Sequence, residues 1–417
     1  MSDPITLTLY ERPPCRRGCP GCAQCRPQLV LSPEAAAAVA ATGLVAVTPT
    51  TTPGVFALAT NGKVGIVAVD ELHLRVEAKT PIGHLLWMMG YARDPAWWAQ
   101  HTALVGTDTE LVPALAEAYA RAADQAVAAG LLSGYREVED SAAVLHGRLR
   151  AGEQITRRFG LGLPVEIRYE EYDQDIPENQ LLLAATIALL SLPSLPSLPQ
   201  QLRNRLARLR QVLADVTLPV RGTEPGWTPT RLNRRYHWAL HLAELILDHR
   251  SVEYRAGSVR IRGFVLDMWK VFEDFLITAT AESIGRHGDR GVRPGALKPR
   301  RYLDDGHTVT LKPDLTWLDA HGTPVTVIDA KYKLLDAGTG PNADIYQMVA
   351  YCTGMNLREA HLVYAQGETE PRALDIIGSD VTIECHALDL TLSPALLLAS
   401  VGSLIDTIHA RRNTATR

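Results

Sequence analysis

The spacing of hydrophobic and polar positions changes period several times along the chain, and each change predicts an element. The segment SPEAAAAVAATG, Ser32 to Gly43, carries Ser at an N-cap position, Pro and Glu in the first turn and Gly just past the end. That pattern predicts a short capped helix. From Leu44 to Ala78 the runs LVAVT, GVFALAT and VGIVAV are short and β-prone, and Pro53, Gly54, Asn61 and Gly62 break them. They predict a small β-rich unit. Helical spacing returns in PIGHLLWMMGYA and through the Ala-rich stretch from Leu111 to Leu132. SLPSLPSLPQ, Ser191 to Gln200, repeats Leu-Pro-Ser and reads as a stiff extended linker. Beyond it, QLRNRLARLRQVLADV and TPTRLNRRYHWALHLAELILDHR are helical by period.

The last third is the most patterned. FVLDMWKVFEDFL reads as a helix whose wet face carries Asp267, Lys270 and Asp274. Glu273 lies about 90° from that cluster, close to Leu266 and Trp269. HTVTLKPDLTW alternates, with Val309, Leu311, Leu315 and Trp317 on one face and Thr310, Lys312, Asp314 and Thr316 on the other. A turn at Asp319–Gly322 leads into TPVTVIDAKYK, giving a hairpin whose second strand places Val325, Val327, Asp329, Lys331 and Lys333 on one face. PNADIYQMVAYCTG follows as a helix with Gln347 and Tyr351 four apart on one side. EAHLVYAQ and VTIECHALDL read as strands, and Ser393 to Arg411 as an amphipathic terminal helix. The fold class expected is α/β (α+β): a β-rich N-terminal domain, a helical middle, and a C-terminal mixed sheet flanked by helices. The division expected is an arm over 1–30, a β-rich and helical part over 31–150, a helical middle with its Pro-rich linker over 151–250, and a last domain over 251–417.

Composition narrows the function classes. Of 417 residues 46% are hydrophobic and 21% charged, which suits a globular chain with real cores and excludes disorder. No run of 18 or more apolar residues exists to cross a bilayer, and the first residues lack a basic region followed by an apolar stretch. The expected location is the cytoplasm, with no membrane partner. The net charge of −4 is an average over unlike parts. Gln201 to Arg262 holds 12 Arg against 5 acids, Arg286 to Arg301 holds 6 Lys/Arg against one Asp, and Glu137 to Glu178 is acidic. Such segregation suits a chain of which one part meets a polyanion and another a protein.

Four of the six cysteines, Cys15, Cys19, Cys22 and Cys25, fall within eleven residues. Their C-x3-C-x2-C-x2-C spacing allows thiolates to converge on one metal, so a Zn2+ knuckle is one reading. An iron–sulfur site on the first three is another, and a flexible Arg- and Pro-rich arm is the third. Cys352 and Cys385, far away and alone, read as small core residues.

The hairpin carries the chemistry, in the arrangement P-D-x14-D-x-K. Phosphodiester hydrolysis needs a hard divalent cation that neutralises developing charge and activates water, and such a cation takes carboxylate and carbonyl oxygens. Asp314 and Asp329 on neighbouring strands can share one Mg2+, with the carbonyl of Ala330 as a third oxygen and Glu273 nearby. Lys331 then positions or deprotonates the attacking water, or stabilises charge on the phosphorane. Gln347 and Tyr351 hold phosphate or orient the lysine, core packing being the alternative for Tyr351. The basic stretch Arg286–Arg301 is expected along a DNA backbone.

These residues resemble the PD-(D/E)xK nuclease superfamily, and the Gln347/Tyr351 pair looks like the Q-x-x-x-Y helix of its exonuclease-like branch. More narrowly the chain resembles the McrC family, the nuclease subunit of the McrBC 5-methylcytosine-dependent restriction system. The strings that carry the resemblance are VGIVAVDELHLRVEAKTPIGHLLWMMGYA, VLHGRL, ENQLLLAATIALL, FVLDMWKVFEDFL, LKPDL, VIDAKYK and YQMVAY. It implies a C-terminal domain that cuts double-stranded, methylated DNA with Mg2+. It also implies an N-terminal part that docks on a hexameric AAA+ GTPase of the McrB kind and stimulates it. The cysteine arm departs from the family pattern. The sequence contains no GxxxxGK[ST] phosphate loop, so any nucleotide-driven step belongs to another chain. Two rival readings are a non-cleaving adaptor of an AAA+ motor, and a free-standing repair or exonuclease-type enzyme.

Overall fold

The computed structural model describes residues 5–11, 26–70, 72–78, 80–93, 95–100, 111–159, 161–192, 198–249, 255–256, 259–334, 342–366 and 372–415. The four clustered cysteines, and Pro193 to Ser197 of the Leu-Pro-Ser repeat, lie outside the described residues. The chain packs as two compact units: Met1–Ala114 together with Ser251–Arg417, and Leu115–Arg250. The mixed α/β class read from the sequence holds.

The first unit contains two larger sheets. One has the order Ile5–Tyr10, Leu72–Glu77, Lys63–Val69, Val259–Asp267, Arg255–Ala256, and only its Ile5–Tyr10 edge pairs in parallel. Strands from the first 77 residues therefore share one sheet with Arg255–Ala256 and Val259–Asp267, and Ile5–Tyr10, inside the segment expected to be an arm, is one of its strands. Gly65 sits where this sheet is tightest. Its φ is +142°, and a Cβ there would lie 2.0 Å from the carbonyl oxygen of Phe264 on the neighbouring strand. A second, three-stranded sheet joins Gln28–Val30, Val55–Thr60 and Val45–Pro49. The helix Pro33–Ala41 between them is capped as its sequence predicts, Ser32 accepting the Ala35 N–H at 3.1 Å.

The other large sheet has six strands in the order Arg290–Val292, Leu315–Leu318, Pro324–Leu334, Glu359–Gln366, Thr382–Ala387, Arg372–Asp375. The three central strands from Pro324–Leu334 to Thr382–Ala387 run parallel, and the flanking pairs are antiparallel. Helix Asn342–Met355 covers one face, burying Met348, Tyr351 and Cys352 against Val327, Leu362, Tyr364, Ile383 and Cys385. Helix Met268–Gly285 packs on both large sheets and on the terminal helix Pro394–Ala415. Its Phe275 ring packs tilted against Trp87 at 5.5 Å and edge-on against Tyr91 at 5.8 Å, both on helix Ile82–Tyr91.

Three expectations are corrected here. The helix expected over FVLDMWKVFEDFL begins only at Met268, because Phe264 to Asp267 complete a strand paired with Lys63–Val69. Trp269 is 53% exposed, so the helix side it shares with Glu273 is partly open to solvent and not the apolar face expected. The first strand of the hairpin is Leu315–Leu318 and not the whole of His307–Trp317. Asp304 intervenes by accepting the N–H groups of Thr308 and Val309, and Leu311 donates to the Arg301 carbonyl, so the chain loops before Pro313.

In the second unit, helix Pro177–Leu190 packs on Gln200–Val212 and on His237–His249, and side chains of Leu111–Val127 reach Pro177–Leu190 and Gln200–Val212. Tyr119 is fully buried and donates to the Leu182 carbonyl at 2.6 Å. The helix expected from Thr228 starts only after the short 3-10 turn Arg234–Tyr236, because Asn233 instead ties the backbone of Thr228 and Thr230. The middle segment is also not purely helical. Gly134–Ala142 and Val165–Asp173 form a long antiparallel pair, and the short strand Arg148–Leu149 adds to the other edge of Val165–Asp173. The Arg-rich helix Gln200–Val212 pairs part of its charge with acids at the surface: Arg205 lies 3.0 Å from Glu117 and Arg208 3.2 Å from Asp124.

Candidate active site

Asp329 and Lys331 stand two apart on the strand Pro324–Leu334 and so share a face with Val327, as the alternation of that strand requires. Val327 is in the core under helix Asn342–Met355, which places Asp329 at the end of an apolar stripe with 1% exposure. The neighbouring strand stops at Leu315, opposite Ile328. Ala330 therefore has no ladder partner on that side, and the Asp314 carboxylate takes its place, Oδ2 accepting the Ala330 N–H at 2.8 Å. N–H and C=O of one residue leave an extended strand on the same edge, so the Ala330 carbonyl is also directed to the Asp314 side.

The lysine is held by a chain of hydrogen bonds whose directions are fixed. Tyr351 O–H donates to the Lys312 carbonyl at 2.9 Å, an acceptor only. It therefore accepts from Gln347 Nε2, at 2.8 Å, which leaves Gln347 Oε1 facing Lys331 Nζ at 3.0 Å. The same ammonium is paired with Asp329. The Gln347–Tyr351 pair, read from sequence as a phosphate contact or an orienter of the lysine, meets the lysine.

Charge crowding defines the electrostatics. Asp314 is pushed up from 3.8 to about 7, first by burial and then by the charge of Asp329, while the Ala330 N–H pulls it partly back. Burial likewise raises Asp329, against the pull of Lys331. Glu273, on helix Met268–Gly285, is raised by burial, then by Asp274 and Asp329. Three carboxylates are thus gathered where burial and like charge disfavour ionisation, with one lysine between them. A divalent cation with oxygen preference fits this donor set, because it would neutralise the carboxylates that the protein leaves undercompensated. All six side chains singled out from the sequence, Glu273, Asp314, Asp329, Lys331, Gln347 and Tyr351, belong to this one network of contacts and charges.

Sequence reasoning missed further members. Asp344, in the first turn of helix Asn342–Met355, is buried, pairs with Lys333 at 2.6 Å and accepts from Tyr364 at 3.1 Å. Its charge reaches Asp329. The signal was available, since Lys333 continues the face of Asp329 and Lys331. Arg293 bridges Asp274 at 3.0 Å and Thr278 at 3.1 Å, which holds one residue of the basic stretch against the helix that bears Glu273.

The model of the family described as McrBC 5-methylcytosine restriction system component matches residues 58–365. The chain is similar over 97% of its length to all of a chain in the refined half-complex from the tetradecameric assembly of Thermococcus gammatolerans McrB AAA+ hexamers with bound McrC. The identity is 17% and the TM-score 0.59, a likeness of fold. A looser likeness, with a TM-score of 0.37 and 18% identity over 67% of this chain and 88% of the other, is to the cryo-EM structure of the Thermococcus gammatolerans McrBC complex. Comparison with curated proteins gives no match. Since the family model spans most of the chain and includes the hairpin and the Gln347/Tyr351 helix, the chain belongs to the McrBC 5-methylcytosine restriction system component family.

Proposed function

We propose that the chain is the Mg2+-dependent DNA endonuclease subunit of a modification-dependent restriction system, cutting DNA when docked on an AAA+ GTPase that it stimulates. The observation that carries this reading is the buried constellation of Asp314, Asp329 and Lys331, with Lys331 held by Gln347. Adaptor function alone gives no reason to bury like charges beside a lysine at the end of an apolar strand.

Asp314, Asp329 and Glu273 would hold the cation through carboxylate oxygens, with the Ala330 carbonyl as a further donor. When bound, Mg2+ supplies neutralisation of the phosphate and a more acidic water. Lys331 presents its ammonium beside the carboxylates, where it places positive charge against a non-bridging phosphate oxygen and hydrogen-bonds the attacking water. Gln347 keeps that ammonium in place whether or not Asp329 is turned to the metal, and Tyr351 keeps the Gln347 amide from flipping. The exposed cations Arg290, Lys298 and Arg300 supply sequence-independent contacts to the DNA backbone.

The partner follows from the fold neighbour, in which McrB AAA+ hexamers hold bound McrC. This chain's sequence has no phosphate-binding loop of its own, so nucleotide hydrolysis falls to that partner. Double-stranded DNA carrying methylated cytosine is the proposed substrate, and the cytoplasm the proposed site of action. The test is to copurify the chain with its AAA+ partner and incubate the complex, GTP and Mg2+ with methylated and unmethylated plasmid. Linearisation confined to the methylated plasmid and abolished by EDTA supports the reading. Cutting by the chain alone, without GTP or methylation, contradicts it.

A further inference from the structure

The opposite face of the six-stranded sheet carries a second cluster of ligating side chains. In the parallel register Asp329 pairs with Leu362 and Leu362 with Cys385, all on the face under helix Asn342–Met355. His361 and Glu384 pair directly across the same two strands, one residue out of phase, and His386 follows Glu384 on the same face. His361 and His386 are 1% and 6% exposed.

Three atoms converge there. His361 Nδ1 lies 3.2 Å from His386 Nε2, and Glu384 Oε2 lies 3.7 Å from the first and 3.5 Å from the second. Metal bonds of about 2.0–2.1 Å at a tetrahedral angle separate ligand atoms by about 3.3 Å, so this triangle has the dimensions of one face of a zinc coordination sphere. Without an ion the triangle is poorly satisfied. The two imidazoles make a single hydrogen bond, and Glu384 Oε2 and His361 Nε2 are buried with no hydrogen-bond partner among the described residues. Glu359, two residues before His361 on the same strand face, also buries an unpartnered oxygen, Oε1. The other oxygen of Glu384 pairs with Arg411 of the terminal helix, which leaves Oε2 for a different partner.

We propose that His361, Glu384 and His386 form a metal site for a zinc-class divalent transition cation. The two-imidazole, one-carboxylate donor set favours such an ion over Mg2+, which takes oxygen ligands and keeps its waters. A water completes the coordination. The role is structural: the ion ties the strands Glu359–Gln366 and Thr382–Ala387 together and, through Glu384 and Arg411, fastens the terminal helix to the sheet. Nuclease chemistry on the other face does not pass through it.

The test uses the full chain with Cys15, Cys19, Cys22 and Cys25 replaced by Ser, which removes thiolate ligands from the comparison. After EDTA treatment and dialysis the protein is titrated, in saturating Mg2+ that occupies the carboxylate site on the other face, with Co2+ and, separately, Zn2+. The expected result is one equivalent bound, visible d–d absorption of four-coordinate Co2+ with no thiolate charge-transfer band, and a Tm raised by about 2–4 °C. His386→Ala should weaken binding by at least about 100-fold and abolish the shift. If that variant does not fold, zinc-edge X-ray absorption on the Cys-to-Ser protein decides, two imidazole ligands being expected. Failure of the folded Cys-to-Ser protein to retain either metal, or binding unchanged in folded His386→Ala protein, overturns the proposal.

Discussion

Gln347 Oε1 accepts from Lys331 Nζ at 3.0 Å, and it faces the lysine because Tyr351 has already taken the other end of its amide. Removing the tyrosine hydroxyl frees that amide to flip and present N–H groups to an ammonium, which is repulsive. Tyr351→Phe should therefore lower the cleavage rate by about 10–100-fold, with Tm nearly unchanged. Gln347→Glu should keep more activity than Gln347→Lys, and single-turnover cleavage of methylated plasmid measures both.

The acidic cluster should stabilise poorly at neutral pH in the absence of metal. The Asp314 carboxyl is raised from 3.8 to about 7, so the folded chain holds a proton that the unfolded chain releases. Stability without metal should then fall as pH rises between those values and be lowest above the upper one. Asp314→Asn removes the titration and keeps an oxygen for the Ala330 N–H. It should stabilise the metal-free protein by on the order of 2 kcal/mol at pH 7.5 while ending cleavage. Urea denaturation of both proteins at pH 5 and pH 7.5 checks the sign, the gain being smaller at pH 5.

Metal binding should release protons. Because burial holds Asp314 and Asp329 toward their neutral forms, Mg2+ affinity should rise with pH through the same window, and Mg2+ should raise Tm more at pH 7.5 than at pH 5.5. Calorimetry in two buffers of different ionisation enthalpy measures the proton count directly. Asp329→Ala should remove most of the response.

Much of this site was legible in sequence, and the reasons are local. Asp329, Lys331, Gln347 and Tyr351 lie on regular elements whose periods of two and 3.6 fix their faces, so spacing alone placed them. The pair Gly134–Ala142 with Val165–Asp173 was not legible. Its strands are rich in charged residues, only Glu166 and Ile167 are buried, and the alternation of Val165, Ile167 and Tyr169 breaks at Glu171, so the apolar stripe is too short to reveal a period. Asp304 hid the loop before Pro313, because side-chain capping of a turn competes with strand pairing and leaves the alternation of HTVTLKPD intact. The edge strand Ile5–Tyr10 is short, and it finds its parallel partner sixty-seven residues away, at Leu72–Glu77.

Gly65 joins two strands that approach too closely for any side chain. Its φ of +142° and the Phe264 carbonyl 2.0 Å from a would-be Cβ leave backbone as the only thing that can move. Gly65→Ala should cost about 2 kcal/mol or more and lower Tm, whereas Gly54→Ala, with open space around it but φ +77°, should cost less.

The most direct test of the central claim separates cutting from docking. Purified Lys331→Ala and Asp329→Ala chains are each combined with the AAA+ partner, GTP, Mg2+ and methylated plasmid, and cleavage and GTP hydrolysis are followed together. The account predicts that both variants stimulate GTP hydrolysis as the unaltered chain does while cleavage falls to background. Plasmid linearised at the unaltered rate by folded Lys331→Ala and Asp329→Ala proteins would contradict it.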